Sequence, residues 1–228
     1  MSRVLPILFN TEMVRANLEG RKSCTRRIVK GFIPNDAKWG YTAFTPKGCI
    51  SCRGTFADGY GEKFFKLPCE PRDILYVRET WERFECWNCE GDESGSCPKE
   101  PQKSVLDKVC GCYMYRATDE ISGDAKWHPS IRMPKEAARI WLKVTDVRVE
   151  RLQKITEDGC IAEGIYPSNC RGCNATFGCD ACPDEGYNEV DGFADLWNST
   201  IKKSDLDHYS WDANPWVWVI GFERCEKP

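Results

Sequence analysis

The sequence predicts an α+β fold: a small closed β-barrel of about six strands with helices over its openings. Three observations lead there. About six stretches have strand character and only three have helical character. The first and last strand-like stretches lie near the two ends of the chain. No internal repeat is present, and 228 residues suffice for a real core. The chain 1–228 is therefore read as a single domain carrying insertions.

The elements follow in order. Residues 4–9, VLPILF, open as a strand, an edge strand given Pro6. Residues 11–19 form a short helix with Thr11 as N-cap and Glu12 in its first turn, closed by Gly20. A dense polar segment follows, and Ile28-Val29 starts the next strand. Residues 31–68, rich in glycine, proline and aromatics, are expected to be loops and short hairpins. Ile74 to Glu79 is a clear strand, with Trp81 just beyond. Periodicity is lost over 83–111, read as an insertion, and order resumes with a strand at 112–117. Residues 139–152 alternate apolar and polar side chains, which predicts one long strand with a bulge near Thr145-Asp146. Thr156 caps a helix that carries Glu163 and ends at Gly164. Residues 166–187 are a second insertion. Residues 189–201 form an amphipathic helix with Phe193, Leu196 and Trp197 on one face. The aromatic and β-branched run 214–223 reads as a buried closing strand.

The net charge of −3 excludes a global basic field for nonspecific nucleic-acid binding, so any basic site is local. The best local cluster is Arg21 to Lys30. No apolar run approaches a membrane span, and residues 4–9 are too short and too broken for a signal peptide. A cytoplasmic protein without a membrane partner is expected. In that compartment the 15 cysteines are thiols or metal ligands rather than disulfides.

Two chelating pairs, Cys170-x-x-Cys173 and Cys179-x-x-Cys182, fit one closed all-thiolate structural zinc site. Cys86-x-x-Cys89 with Cys97 and either Cys110 or Cys112 suggests a second. Cys110 is preferred because Cys112 begins a strand. The spacing does not separate zinc from an iron–sulfur cluster. Cys49-x-x-Cys52 with Cys69 supplies only three ligands for a third site. Cys24, Cys160 and Cys225 read as buried small apolar residues.

Lys22 and Thr25 stand three residues apart among Arg21, Arg26 and Arg27. Neighbouring cations lower a lysine pKa, and such a lysine can serve as base to a hydroxyl nucleophile. An arginine, Arg27 or Arg78, would stabilise an oxyanion or hold a phosphate. Trp81 and Trp127 are candidates to stack on a base.

GRKSCTRR fits G-x-K-x-x-T-x-R, with Gly20, Lys22, Thr25 and Arg27 in the four fixed places. ILYVRETW, YRA, WHPSIRMPKEAARIWLKVTDVRVERLQKIT, AEGI, FADLWNS and NPWVWVIGFE follow in order. In this series the chain resembles the ASCH domain family of the PUA-like superfamily, in its phage- and prophage-encoded branch. The resemblance implies a PUA-like barrel that binds RNA or a modified nucleoside in a cleft beside the motif. Some small members are amidohydrolases that deacetylate N4-acetylcytidine. Their catalytic set, carried over by motif position, implies Lys22, Thr25 and Glu163 here. The alternative is a non-catalytic, zinc-stapled RNA- or nucleic-acid-binding module in phage biology. The cysteine-rich insertions set this chain apart from those small enzymes.

Overall fold

The structure is a computed structural model and describes residues 2–85, 102–103, 110–120, 126–165 and 189–228. Its elements run β1 (Val4–Leu8), α1 (Thr11–Leu18), β2 (Cys24–Ile28), β3 (Lys38–Gly40), β4 (Cys49–Phe56), β5 (Gly59–Lys66), β6 (Ile74–Arg78), β7 (Trp81–Glu85), β8 (Gln102–Lys103), β9 (Cys110–Tyr115), β10 (Trp141–Arg151), α2 (Glu157–Glu163), α3 (Glu189–Thr200), α4 (Leu206–Tyr209) and β11 (Trp216–Cys225). The α+β class is as expected.

The described strands form three open sheets, ordered β1-β6-β10-β11-β2, β3-β4-β5 and β7-β9-β8. In the first, β1 runs parallel to β6 and the other pairs are antiparallel. β11 lies near its centre because both its faces are apolar. Trp218, Ile220 and Phe222 enter the main core, while Val217 and Val219 pack under α2 and α3 with Leu152, Cys160 and Phe193. The bulge sits where the alternation breaks, between Val144 and Asp146.

The expected barrel closure is not seen: no sheet closes on itself. The two edge strands of the large sheet, β1 and β2, do approach each other. An Arg27 Nη on β2 donates to the carbonyl of Leu8, the last residue of β1, at 2.8 Å. A side chain crosses the gap where a barrel would place ladder bonds. Part of the reason is in β1. Ile74 donates to the Arg3 carbonyl and Phe9 donates to the Arg78 carbonyl, so odd-numbered residues of this stretch face β6. Pro6 therefore faces the free edge, and it has no N–H to offer there.

Three local expectations change. The N-cap of α1 is Asn10, whose side chain accepts from the Met13 N–H, rather than Thr11. β2 begins at Cys24, so Thr25, Arg26 and Arg27 are strand residues instead of a polar loop. Residues 49–66, read as loops and short hairpins, form one long hairpin with eight residues in each strand.

β1 is tied down by Asp73, which is almost fully buried ahead of β6. Its carboxylate accepts from the Arg3 and Glu70 backbone N–H groups at 2.9 and 2.8 Å and from the Arg3 guanidinium. Burial is the largest single influence and pushes the Asp73 pKa up. The hydrogen bonds and charge of Arg3, with the Glu70 N–H, outweigh it and hold the group below the usual aspartate value. Its contribution is then complete above the ordinary aspartate pKa and is lost as pH falls through the lower folded-state value. Asp73→Asn is expected to cost about 2–3 kcal/mol in urea unfolding at neutral pH. The gap to wild type should shrink as the pH drops below about 4.

Candidate functional site

The site forms where the turn after α1 meets the end of α2. Gly20 takes a φ of +80° just past the helix, and the Arg21 and Lys22 N–H groups both return to the Ala16 carbonyl. Ser23 then bonds across to Ala162 and Phe222. This holds Lys22 against the last turn of α2, whose carbonyls have no partner inside the helix. Lys22 Nζ donates to the Glu163 carbonyl at 2.7 Å and to Glu163 Oε2 at 2.8 Å. A cation at a helix C-terminus is favoured by the helix dipole, so the contact serves backbone and side chain together.

Glu163 is 6% exposed and needs compensation for a buried charge. Lys22 takes one carboxylate oxygen, and Arg26 of β2 donates to the other at 3.2 Å. Arg26 also lies 3.7 Å from Glu150 of β10. Phe9 lies 5.4 Å beneath Lys22 Nζ, and Phe193 lies 5.9 Å from the Arg26 guanidinium. The Lys22 pKa is lowered, and burial is the main cause; Glu163 opposes it and Arg27 adds a minor part. The arginine cluster is therefore not the chief source, contrary to the expectation from sequence.

Strand alternation splits the motif. Arg26 points to the layer of α2 and α3, and Thr25 pairs in register with Ile220 of the main core. The Thr25 hydroxyl is fully buried and has no hydrogen-bond partner among the described residues.

A cavity of about 80 Å³ reaches Glu163, Arg26 and Arg27 between Met13 and the Phe193–Trp197 side of α3. It shares Met13, Arg27 and Thr200 with a larger cleft of about 470 Å³ between the free edges of β1 and β2. The cleft is walled by Leu5 to Leu8 and floored by Leu75 and Ile220, so it is mostly apolar with Arg27 as its cation. Its volume is that of a small-molecule site. Neither Lys22 nor Thr25 lines either space.

The structure thus brings together Lys22, Glu163, Arg26 and Arg27, with Thr25 on the adjoining strand face. Other candidates lie elsewhere. Arg21 donates to the Gly164 carbonyl and pairs with Glu19, closing the end of α2. Arg78 donates to the Met133 carbonyl at 2.7 Å. Trp81 packs on Tyr113 and His128 in the β7-β9 sheet, and Trp127 neighbours that bridge; neither lines the cleft. Of the predicted metal ligands, Cys110 starts β9. Cys86, Cys89, Cys97, Cys170, Cys173, Cys179 and Cys182 lie outside the described residues. Among the described residues no group of three or more His, Cys, Asp or Glu is placed to hold a metal. In β4, Cys49 and Cys52 fall on opposite faces, because a strand alternates with period two.

Two contributors escaped the sequence reading. Asn17, fully buried, donates to the Lys22 carbonyl at 3.2 Å. Its signal was a polar residue four positions after Met13 on the apolar stripe of α1. Gly164 has a φ of +98°, and a Cβ there would lie 2.6 Å from the Ala16 Cβ, so α1 and α2 approach only because it is glycine. No protein-family model, no curated protein and no solved structure matches the chain. Among the described residues no helix is long and apolar enough to cross a membrane.

Gly164→Ala should destabilise by about 2–4 kcal/mol, combining left-handed strain with overpacking. Glu163→Gln leaves Lys22 and Arg26 buried without their anion and should cost about 3–5 kcal/mol. Thermal and urea unfolding measure both.

Proposed function

We propose that the protein recognises RNA or a modified nucleoside in the cleft beside Arg27 and hydrolyses an acylated base of the N4-acetylcytidine type. The catalytic set is Lys22, Thr25 and Glu163. One observation carries this reading: a buried carboxylate, clamped between two cations, faces a small cavity that adjoins a ligand-sized cleft. A buried ion pair beside a cleft is a candidate for acid–base chemistry. In the same reading the chain is an ASCH-type member of the PUA-like group, acting in the cytoplasm, with its barrel left open along β1 and β2. The cysteine-rich insertions supply the thiolates for one or two structural zinc sites, and metal analysis of the purified protein is expected to find one or two zinc ions per chain.

The Lys22–Glu163 contact supports this chemistry, and the Thr25 hydroxyl, which has no partner of its own among the described residues, is free to serve as nucleophile. The Lys22 ammonium first passes its proton to Glu163, 2.8 Å away, which leaves a neutral amine and a neutral acid, the forms burial favours. The amine takes the proton of the Thr25 hydroxyl as its oxygen attacks the acyl carbon. Glu163, now carrying that proton, protonates the departing base nitrogen as the carbon–nitrogen bond breaks, which restores the ion pair. Water then releases the acyl group and restores the hydroxyl. Arg26 or Arg27 offers positive charge to the oxyanion. A second reading, binding without chemistry, is favoured by one observation: neither Lys22 nor Thr25 lines the cavity.

Deacetylation of N4-acetylcytidine, followed by chromatography, is expected to fall at least about a hundredfold in Lys22→Met and Thr25→Val. Circular dichroism should report an intact fold in both. No turnover of any acylated nucleoside, with saturable nucleoside binding that Arg27→Ala abolishes, would replace the first reading with the second.

A further inference from the structure

Among the described residues the large sheet is covered on both sides, but the β3-β4-β5 sheet is covered on one. Residues opposite each other in an antiparallel pair share a face. One face of this sheet carries Ile50, Cys52 and Phe56 of β4, with Trp39 and Phe65 beside them, and packs toward the core. The other carries the row Lys38–Arg53–Glu62, then Ser51–Phe64, Cys49–Lys66 and Thr55–Tyr60. Tyr60 is 71% exposed and Phe64 is 42% exposed. They lie four residues apart on one strand, about 13 Å along it. The connection from β3 to β4 leaves the sheet beside the Cys49–Lys66 row and adds Tyr41 and Phe44, 67% and 83% exposed.

Large aromatics on a strand face normally pack against something. Among the described residues no ring partner is seen for Tyr60 or Phe64, and cations are interleaved with them. Lys38, Arg53 and Lys66 are all exposed and form no ion pair with a described carboxylate. The two nearby carboxylates are engaged by the sheet itself. Glu62 accepts from the Ser51 hydroxyl, and Asp36 accepts from the Thr55 N–H and hydroxyl. A face with spaced aromatic rings and exposed cations suits a ligand that alternates planar rings with negative charges.

We propose that this face is a stacking platform for single-stranded nucleic acid, with bases on Tyr60 and Phe64 and the backbone along Lys38, Arg53 and Lys66. It rests on the nucleic-acid part of the reading above but not on the Lys22 chemistry. The hairpin β4–β5 would hold a strand while the cleft takes one nucleoside, which would make the substrate a modified base within RNA rather than a free nucleoside.

Fluorescence anisotropy with short labelled oligo(U), oligo(dT) and a matching duplex tests this on the full chain. Both single strands should bind more tightly than the duplex, and their affinity ratio identifies the preferred polymer. Tyr60→Leu and Phe64→Leu keep apolar bulk but remove the ring face, and each should weaken binding about tenfold. Arg53→Ala should reduce the slope of log affinity against log salt by about 0.7. Circular dichroism checks that these surface variants fold. The platform is overturned if single strands do not bind at low salt, or if the two leucine variants bind like wild type. It is also overturned if Phe64→Leu only disperses self-association. Deacetylation of free nucleosides by a protein indifferent to oligonucleotides would overturn the platform and leave the Lys22 reading standing. Ring-dependent strand binding without turnover would do the reverse.

Discussion

The placement of Glu163 between Lys22 and Arg26 is the contact that constrains the rest of the molecule. A carboxylate buried this deeply is tolerable only when both oxygens meet cations in good geometry. That requirement joins the turn after α1 and strand β2 to the end of α2, more than a hundred residues later in the chain. Other details serve it. Asn17 fixes the Lys22 backbone, Gly164 lets α2 come close to α1, and Glu150 balances the second arginine contact. Such a cluster adds little net stability over an apolar core, yet losing one member leaves an uncompensated charge. It sets where α2 sits more than how tightly it is held.

The gap between β1 and β2 is the other organising feature. Two free strand edges invite pairing with another chain, and this fold protects them by different means. Pro6 removes a donor from the outward side of β1. Arg27 spans the gap from β2, and the helices α1 and α3 lie over the opening through Met13 and Thr200. The same residues make the cleft, so edge protection and ligand-sized space come from one arrangement.

Sequence reasoning read well where structure follows from local pattern. The apolar run of β11, the alternation of β10 with its break at Thr145-Asp146, and the Thr156 and Gly164 boundaries of α2 were all legible. It read poorly where tertiary context overrides pattern. Thr25, Arg26 and Arg27 look like a solvated segment, because nothing local reveals that Glu163 waits to neutralise a buried strand arginine. The β4–β5 hairpin was hidden by Gly54 and Gly61, which face each other across the strands and erase the alternation. Barrel closure depends on edge-to-edge approach, which no strand count contains. For the site, the motif and helix position brought Lys22 to Glu163 correctly. Of the arginines and tryptophans chosen by residue type alone, Arg21 closes the end of α2 beside Glu163, while Arg78, Trp81 and Trp127 lie in other parts of the fold.

The position of β11 between β10 and β2 has a consequence for how the molecule comes into being. Among the described strands, β2 pairs only with β11, and Thr25 meets Ile220 nearly two hundred residues later in the chain. The motif strand therefore has no ladder partner until the last strand has been made. Contacts of such long sequence separation slow folding, since the loop must close before the pairing rewards it. During synthesis the Lys22 segment waits, and its buried charges meet their counter-ion only when α2 and β11 arrive. The geometry around Glu163 is thus a late product of folding, and a chain stalled before β11 would present the motif in water, unassembled.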